Sequence, residues 1–279
     1  MLRLLLGLGA LVVLAGCRLA PDTATDPDPY AVPPAPPPTS DPLRPDTRTA
    51  FDTGFDTTVL GGYEVFTVLG VYHGAEAPAR DGETWQAVDT TGPGAELRSV
   101  QLRVEAARDE VIDPDTGPFT GRRVTTPASV VDEFGGVEDP STLFVRREAG
   151  PLPNGPVSVV ADSETTYLRE SGAYPLSLDG ATYTLTVVAD SSEGGFIRQW
   201  QISLTTPNGS TQPVTRVPNR DGGHPRLLWA GDLDSDGRLD LVLDESWHYN
   251  VTVTTLYVSS EASPGVVLRR VARHETTGC

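Results

Sequence analysis

Four aspartates form the most specific chemical motif of this sequence: Asp232, Asp234, Asp236 and Asp240. Carboxylates at every second position of a loop can converge on one hard cation, and Ca²⁺ accepts about six to eight oxygen ligands in flexible geometry. Gly237, at the sixth loop position, can adopt a positive φ and so permits the sharp turn that such wrapping requires. The spacing therefore predicts a calcium loop over 232–240.

The seventh loop position, Arg238, is expected to contribute its backbone carbonyl, with a side chain that can point away from the ion. Without a cation, the crowded carboxylates would repel each other and raise each other's pKa values, and a divalent ion removes this cost. The motif leaves one alternative open, an acidic turn that binds no ion.

The residues around the loop predict strands. Leu239, Leu241 and Leu243 alternate with Asp240 and Asp244, which is the two-residue period of a strand. An EF-hand would instead need flanking helices and a bidentate glutamate at position 12, which is Leu243 here. The motif Asp-x-Asp-x-Asp-Gly-x-x-Asp-Leu resembles the calcium loops of FG-GAP and VCBS repeats, which join two strands. The sequence has one good copy, whereas a complete propeller needs several repeats.

The N-terminus has the pattern of a secretory signal. Arg3 precedes an apolar run over 4–14 that is too short to span a bilayer as a mature helix. The run ends in Leu14-Ala15-Gly16-Cys17, which resembles the lipobox of bacterial lipoproteins. The resemblance implies a signal peptide over 1–16, cleavage before Cys17 and lipidation of its sulfur, so that acyl chains anchor the protein to a membrane. The alternative is a plain secretory signal.

The residue after the cysteine bears on the location. It is Arg18, and by analogy with lipoproteins that lack aspartate there, the expected site is the outer membrane, at its periplasmic face or the cell surface. A disordered linker is predicted over 17–58. Its proline-rich part, 31–39, should be extended polyproline II, and the adjoining Asp, Thr and Ser residues cannot build a core.

The remainder, 59–279, predicts an all-β domain with a sandwich or barrel-like fold, because short apolar segments alternate with turn signals such as Asn208-Gly209. The Gly- and Pro-rich stretch over 150–156 is either a boundary between two sub-domains or a loop between sheets. One short helix is predicted from Thr126 to about Phe134. Strands are predicted at 63–71, 100–106, 143–146, 157–160, 183–189, 200–204, 227–230, 239–243, 251–258 and 266–272.

Composition excludes one class of partner. The formal net charge is −17 and the pI is about 4.5, whereas nucleic-acid binding needs a basic surface. The sequence contains no nucleophile elbow, P-loop or dinucleotide fingerprint. Most tryptophans are expected in the core, with Trp247 and Tyr249 as the exposed pair. The four histidines, His73, His224, His248 and His274, share no zinc-ligand spacing.

These observations favour a non-enzymatic, lipid-anchored β domain with one structural calcium ion, serving adhesion, recognition or envelope structure through a protein or glycan ligand. Two alternatives stay open. One is a secreted-type hydrolase that acts on polysaccharide or peptide, and the other is a scaffold for an envelope protein complex.

Overall fold

The structure is a computed structural model that describes residues 61–90, 94–133, 136–161, 166–192 and 194–278. These residues belong to one compact unit, Thr49–Cys279. The predicted signal peptide, Cys17 and the linker over 17–58 lie outside the described ranges. Strands and turns make up the described part, which confirms the all-β prediction. Within these ranges, no helix has the length and apolar character needed to cross a membrane.

The described ranges contain nineteen strands. They are β1 (Tyr63–Phe66), β2 (Gly70–Tyr72), β3 (Thr84–Asp89), β4 (Ala95–Gln101), β5 (Arg103–Ala107), β6 (Gly121–Thr125), β7 (Val130–Val131), β8 (Val137–Glu138), β9 (Ser141–Arg147), β10 (Gly155–Ala161), β11 (Thr166–Tyr167), β12 (Gly172–Leu178), β13 (Ala181–Ser191), β14 (Ile197–Thr205), β15 (Thr211–Pro218), β16 (Arg226–Asp232), β17 (Asp240–Asp244), β18 (Val251–Val258) and β19 (Arg269–Thr277).

The largest sheet has the strand order β1-β9-β3-β4-β10-β16-β17-β18-β19, and β11 pairs with β16. Its end strands, β1 and β19, lie beside each other, so the sheet curls into a nearly closed barrel. The predicted barrel-like character is therefore confirmed. The stretch over 150–156 leads from β9 into β10, and β10 pairs with β4. This stretch thus connects strands of one sheet.

Two smaller sheets cover the outside of the barrel. The sheet β12-β13-β14-β15 packs against Leu241 and Leu243, whereas Val242 between them joins the core inside the barrel. Every residue of β17 is buried, because a strand covered on both faces has no wet side. Strand β17 is thus fixed by two cores at once.

The sheet β2-β6-β5 covers a second outer core. Phe144 of β9 points outward and stacks on Phe66, with ring centroids 4.6 Å apart, and Trp85 meets Phe66 edge-on at 5.0 Å. Leu143 and Val145, on either side of Phe144, point into the barrel. The alternation of a strand therefore supplies both cores from one sequence segment.

The predicted helix from Thr126 to Phe134 was wrong for the described residues. Thr126 Oγ1 accepts the N–H of Ala128 at 3.0 Å, so one turn forms at the predicted start. The β-branched Val130 and Val131 then form β7, which pairs with β8. Side chains branched at Cβ favour strands, and the partner strand lies close along the chain, so the turn does not propagate into a helix.

Candidate metal centre

The acidic loop connects two neighbouring strands of the barrel, as the sequence predicted. Asp232 is the last residue of β16 and Asp240 is the first of β17, with Gly231 opposite Asp240 in the antiparallel pair. Ser235 and Gly237 adopt positive φ angles of 61° and 78°, which reverses the chain. The expected role of Gly237 in the turn is thereby confirmed.

Three of the predicted ligands come together. Asp232, Asp234 and Asp240 each place one carboxylate oxygen within 4.8 Å of the others. Asp240 is fully buried at 0% exposure and Asp232 is nearly so. Asp234 is partly exposed, but its Oδ1 is buried and has no hydrogen-bond partner among the described residues. Three hard oxygen donors therefore converge on one point.

Backbone donors hold two of these carboxylates in place. Asp232 accepts the N–H of Asp236 at 3.0 Å through Oδ1 and that of Gly237 at 2.9 Å through Oδ2. Asp240 Oδ2 accepts the N–H of Leu233 at 2.9 Å. These bonds fix the orientation of both carboxylates before any ion arrives.

Burial makes the charge on this cluster costly. It raises the pKa of Asp240 to about 8, and the negative charge of Asp234 adds to the shift, while the N–H of Ser259 opposes it. Burial also raises the pKa of Asp234, with further contributions from the charges of Asp236 and Asp232. Near neutral pH the cluster therefore holds a proton that a divalent cation would displace on binding.

The remaining two predicted ligands pair with each other. Asp236 accepts both the Nε–H and the backbone N–H of Arg238, each at 2.8 Å. The Arg238 side chain folds back over the loop rather than pointing away from it. Asp236 also accepts the hydroxyl of Ser259 at 3.2 Å. The Asp236 carboxylate therefore pairs with Arg238 and lies outside the cluster of the other three carboxylates, and the role of the Arg238 carbonyl stays a prediction.

Sequence reasoning missed the turn after β18. Ser259 donates its backbone N–H to Asp240 Oδ1 at 2.8 Å, and the hydroxyl of Ser260 bonds with Asp234 Oδ2. Gly231 was also missed: a Cβ there would lie 2.3 Å from the carbonyl oxygen of Ser158 on β10. The spacing of residues in the sequence does not predict these contacts, because they depend on how β10 and β18 flank the β16–β17 hairpin.

The aromatic predictions have a mixed outcome. Trp85, Trp200 and Trp229 are buried, which confirms core packing for most tryptophans. Tyr249 is 70% exposed, as expected. Trp247 is half-buried, and the guanidinium of an arginine lies 5.2 Å from its ring centroid. The predicted exposed pair is therefore one exposed ring beside a partly covered one.

Comparisons of this chain with protein-family models, with curated proteins and with solved structures gave no match. The fold and the site together define an all-β protein with a nearly closed barrel, two covering sheets and a buried aspartate cluster at a β-hairpin.

Proposed function

We propose that the protein is a non-enzymatic, lipid-anchored β domain of the outer membrane, whose acidic loop holds one structural calcium ion. It would serve adhesion, recognition or envelope structure. The observation that carries the calcium assignment is the convergence of Asp232, Asp234 and Asp240 within 4.8 Å, with Asp234 Oδ1 buried and unpaired among the described residues. Carboxylate oxygens of this kind are ligands of hard cations.

The position of the cluster supports a structural role for the ion. Its ligands lie at the end of β16 and the start of β17, and serines after β18 bond with the same carboxylates. A bound cation would therefore join three neighbouring strands of the barrel. It would also neutralise a buried charge cluster, whose cost rises with desolvation.

A thermal melt tests the calcium proposal. Millimolar calcium should raise the melting temperature by several degrees and chelator should lower it, because an ion that binds only the folded state contributes about 2.7 kcal/mol at about a hundredfold excess over Kd. Magnesium should do less, since it demands octahedral geometry and loses water reluctantly. Asp234→Ala with Asp236→Ala should abolish the calcium response, because the oxygen ligands of both side chains are lost, and Asp179→Asn, at an exposed turn, should keep it.

If calcium does not change the melting temperature of the wild-type protein, the proposal is contradicted. A response that survives the double alanine variant in full would contradict it as well. The acidic loop would then be an ion-free turn, held by the hydrogen bonds from Asp236, Gly237 and Leu233.

The anchor is supported by the sequence Leu14-Ala15-Gly16-Cys17 and by the proline-rich linker that follows it. Two or more acyl chains anchor firmly, because each buried methylene contributes about 0.8 kcal/mol. Cys17→Ala should therefore release the protein from the membrane fraction, or leave the precursor unprocessed. A variant that is processed and still fractionates with membranes after a high-salt wash would refute the lipid anchor.

A further inference from the structure

A cavity of about 460 Å³ lies between the sheet β2-β6-β5 and the strand pair β18–β19 of the barrel. Its walls come from β2, from the turn after β5, from the N-terminal half of β18 and from the C-terminal half of β19. Small-molecule sites commonly have volumes of about 300–1,000 Å³, and the mouths of β-barrels are frequent places for them. The cavity shares no residue with the acidic loop.

The strand register shows that one end of the barrel interior is polar. Leu256 of β18 and Ala272 of β19 stand opposite each other and belong to the apolar core inside the barrel. Residues two and four positions along each strand point to the same side. These positions line the cavity and carry hydroxyl or imidazole groups instead of apolar ones. They are Thr252, Thr254, His274 and Thr276.

Further polar and aromatic groups surround this surface. His274 Nε2 lies 2.9 Å from the carbonyl oxygen of Glu76, and its ring centroid is 5.9 Å from that of Tyr72. Burial lowers the pKa of His274, so the neutral ring donates through Nε2 and keeps Nδ1 as an acceptor. Glu76 Oε2 accepts the N–H of Thr277 at 2.9 Å, and a carboxylate can accept further hydrogen bonds.

The basic side chains of the cavity wall already have carboxylate partners. The pairs are His73–Asp109, Arg108–Asp115 at 2.9 Å and Arg123–Glu105 at 3.4 Å. An anionic ligand would have to displace one of these carboxylates, whereas an uncharged ligand would not. The charge pattern therefore favours a neutral ligand over an anionic one.

The rim of the cavity is apolar. Val68 and Val111 are 61% and 54% exposed and both line the opening, and the ring of Tyr72 extends this surface inward. A ligand that suits the cavity needs hydroxyl groups for the threonines and an apolar face for the valines and the tyrosine ring. Pyranose sugars combine these features, because their hydroxyls lie around the ring and their C–H groups present an apolar face.

We propose that this cavity binds a neutral monosaccharide or disaccharide, with its hydroxyls on Thr252, Thr254 and Thr276 and its C–H face against Tyr72. The cavity is at the polar end of the barrel interior, and this inference goes beyond the proposed calcium role, since it involves none of the loop residues.

Saturation-transfer NMR on the full chain tests the proposal, with glucose, galactose and N-acetylglucosamine as probes. At least one sugar should receive saturation. Thr254→Val removes a buried hydroxyl of the cavity and should weaken binding roughly tenfold. Thr255→Val is the matched control, because Thr255 is also buried, points to the opposite face of β18, and its hydroxyl has no partner among the described residues.

A second pair of variants tests the opening. Val111→Trp should obstruct the rim and abolish the signal, whereas Val188→Trp, at a valine of β13 with 50% exposure, should leave it unchanged. Both positions are exposed, so a tryptophan ring can be accommodated there without disturbing the core. This pair therefore tests the proposal even if Thr254→Val fails to fold. Circular dichroism and the melting temperature confirm that each variant is folded.

Three outcomes would overturn the proposal. One is that none of the three sugars receives saturation. Another is equal loss of binding in Thr254→Val and Thr255→Val, or in Val111→Trp and Val188→Trp. The third is transfer to 1-octanol, added as a fourth probe, and to none of the sugars, which would identify a site for apolar chains.

Discussion

Asp240 Oδ1 accepts the backbone N–H of Ser259 at 2.8 Å, so the first residue of β17 is bonded to the residue that follows β18. The same carboxylate accepts the N–H of Leu233 through Oδ2, within the hairpin. A single buried side chain thus holds two connections of the barrel. Its protonation state affects both of them, which makes Asp240 the most informative position for a pH experiment.

In the presence of chelator, stability should fall as pH rises from about 4 to about 8 through the contribution of Asp240. Its folded pKa of about 8 lies above its ordinary value of 3.8, so the folded state holds the extra proton in this window. Stability decreases with pH wherever the folded state binds more protons than the unfolded state. Urea unfolding across this range should show a shallower decline for Asp240→Asn, because the amide does not ionise.

Asp179→Asn serves as the control, since Asp179 is exposed and its removal should leave the wild-type slope unchanged. Added calcium should also flatten the wild-type profile near neutral pH, because the ion holds Asp240 in its charged form. Identical slopes for the wild type and Asp240→Asn in chelator would show that this carboxylate titrates like an exposed one.

The pKa values of the two histidines of the cavity should be shifted in opposite directions. A hydrogen bond with Asp109 raises the pKa of His73, and the nearby charge of Glu76 contributes to the increase. Burial lowers the pKa of His274. NMR titration of the imidazole signals should therefore place His73 above the ordinary value of 6.5 and His274 below it.

Asp109→Asn should shift the His73 titration to lower pH, because the charged hydrogen-bond partner is lost. The raised pKa of His73 also affects the free energy of unfolding. The stabilisation from His73 is complete below pH 6.5 and is lost as pH rises through the folded pKa. His73→Gln assigns the signal. Titration of His73 and His274 at the same pH would contradict the contrast between a paired and a desolvated ring.

Local patterns were sufficient for much of the fold. The alternation Leu239, Leu241, Leu243 predicted the strand after the loop, and the aspartate spacing predicted the hairpin that contains the cluster. Strands β12 and β15 were missed, because Pro175 and Pro213 lie within them. Both are edge strands of their sheet. A proline is tolerated there, because its missing N–H can face solvent and the sheet loses no hydrogen bond.

The cavity could not be predicted from spacing. His274 contacts Glu76, which is far from it in the sequence. This contact exists because β19 lies beside β1 when the barrel closes. Likewise, His73 faces Asp109 because β2 and β5 flank β6 in the small sheet. Such contacts follow from strand order, which a single sequence does not specify.

Gly231→Ala should destabilise the fold by about 1–3 kcal/mol or more, as overpacking does. The added methyl group would lie 2.3 Å from the carbonyl oxygen of Ser158 and 2.6 Å from the Trp229 ring. Backbone of a neighbouring strand cannot move aside as a flexible side chain can. Urea unfolding measures the loss, and Gly94→Ala is the control because nothing lies within 4 Å of its added Cβ. Equal stabilities of the two variants would contradict the tight β10–β16 approach.

A buried ion pair lies between the barrel and the four-stranded sheet. Arg270 Nη2 lies 3.3 Å from Glu245 Oε2, 2.9 Å from the hydroxyl of Tyr257 and 3.1 Å from that of Thr215. Both members of the pair are almost completely buried. Arg270→Leu should therefore cost about 3–5 kcal/mol, because it leaves the carboxylate of Glu245 buried without its cation.

Replacing both partners should cost less than replacing the arginine alone. In Arg270→Leu with Glu245→Leu, no uncompensated charge remains from the pair, and removal of a whole buried ion pair costs less than removal of one partner. Arg198→Leu is the exposed control: its ion pair with Asp190, at 3.0 Å, is solvated and should contribute less than about 1 kcal/mol. Unfolding free energies from urea titrations give all three values. A double variant less stable than Arg270→Leu would show that the hydrogen bond between Glu245 and the hydroxyl of Tyr257, rather than the uncompensated charge, determines the cost.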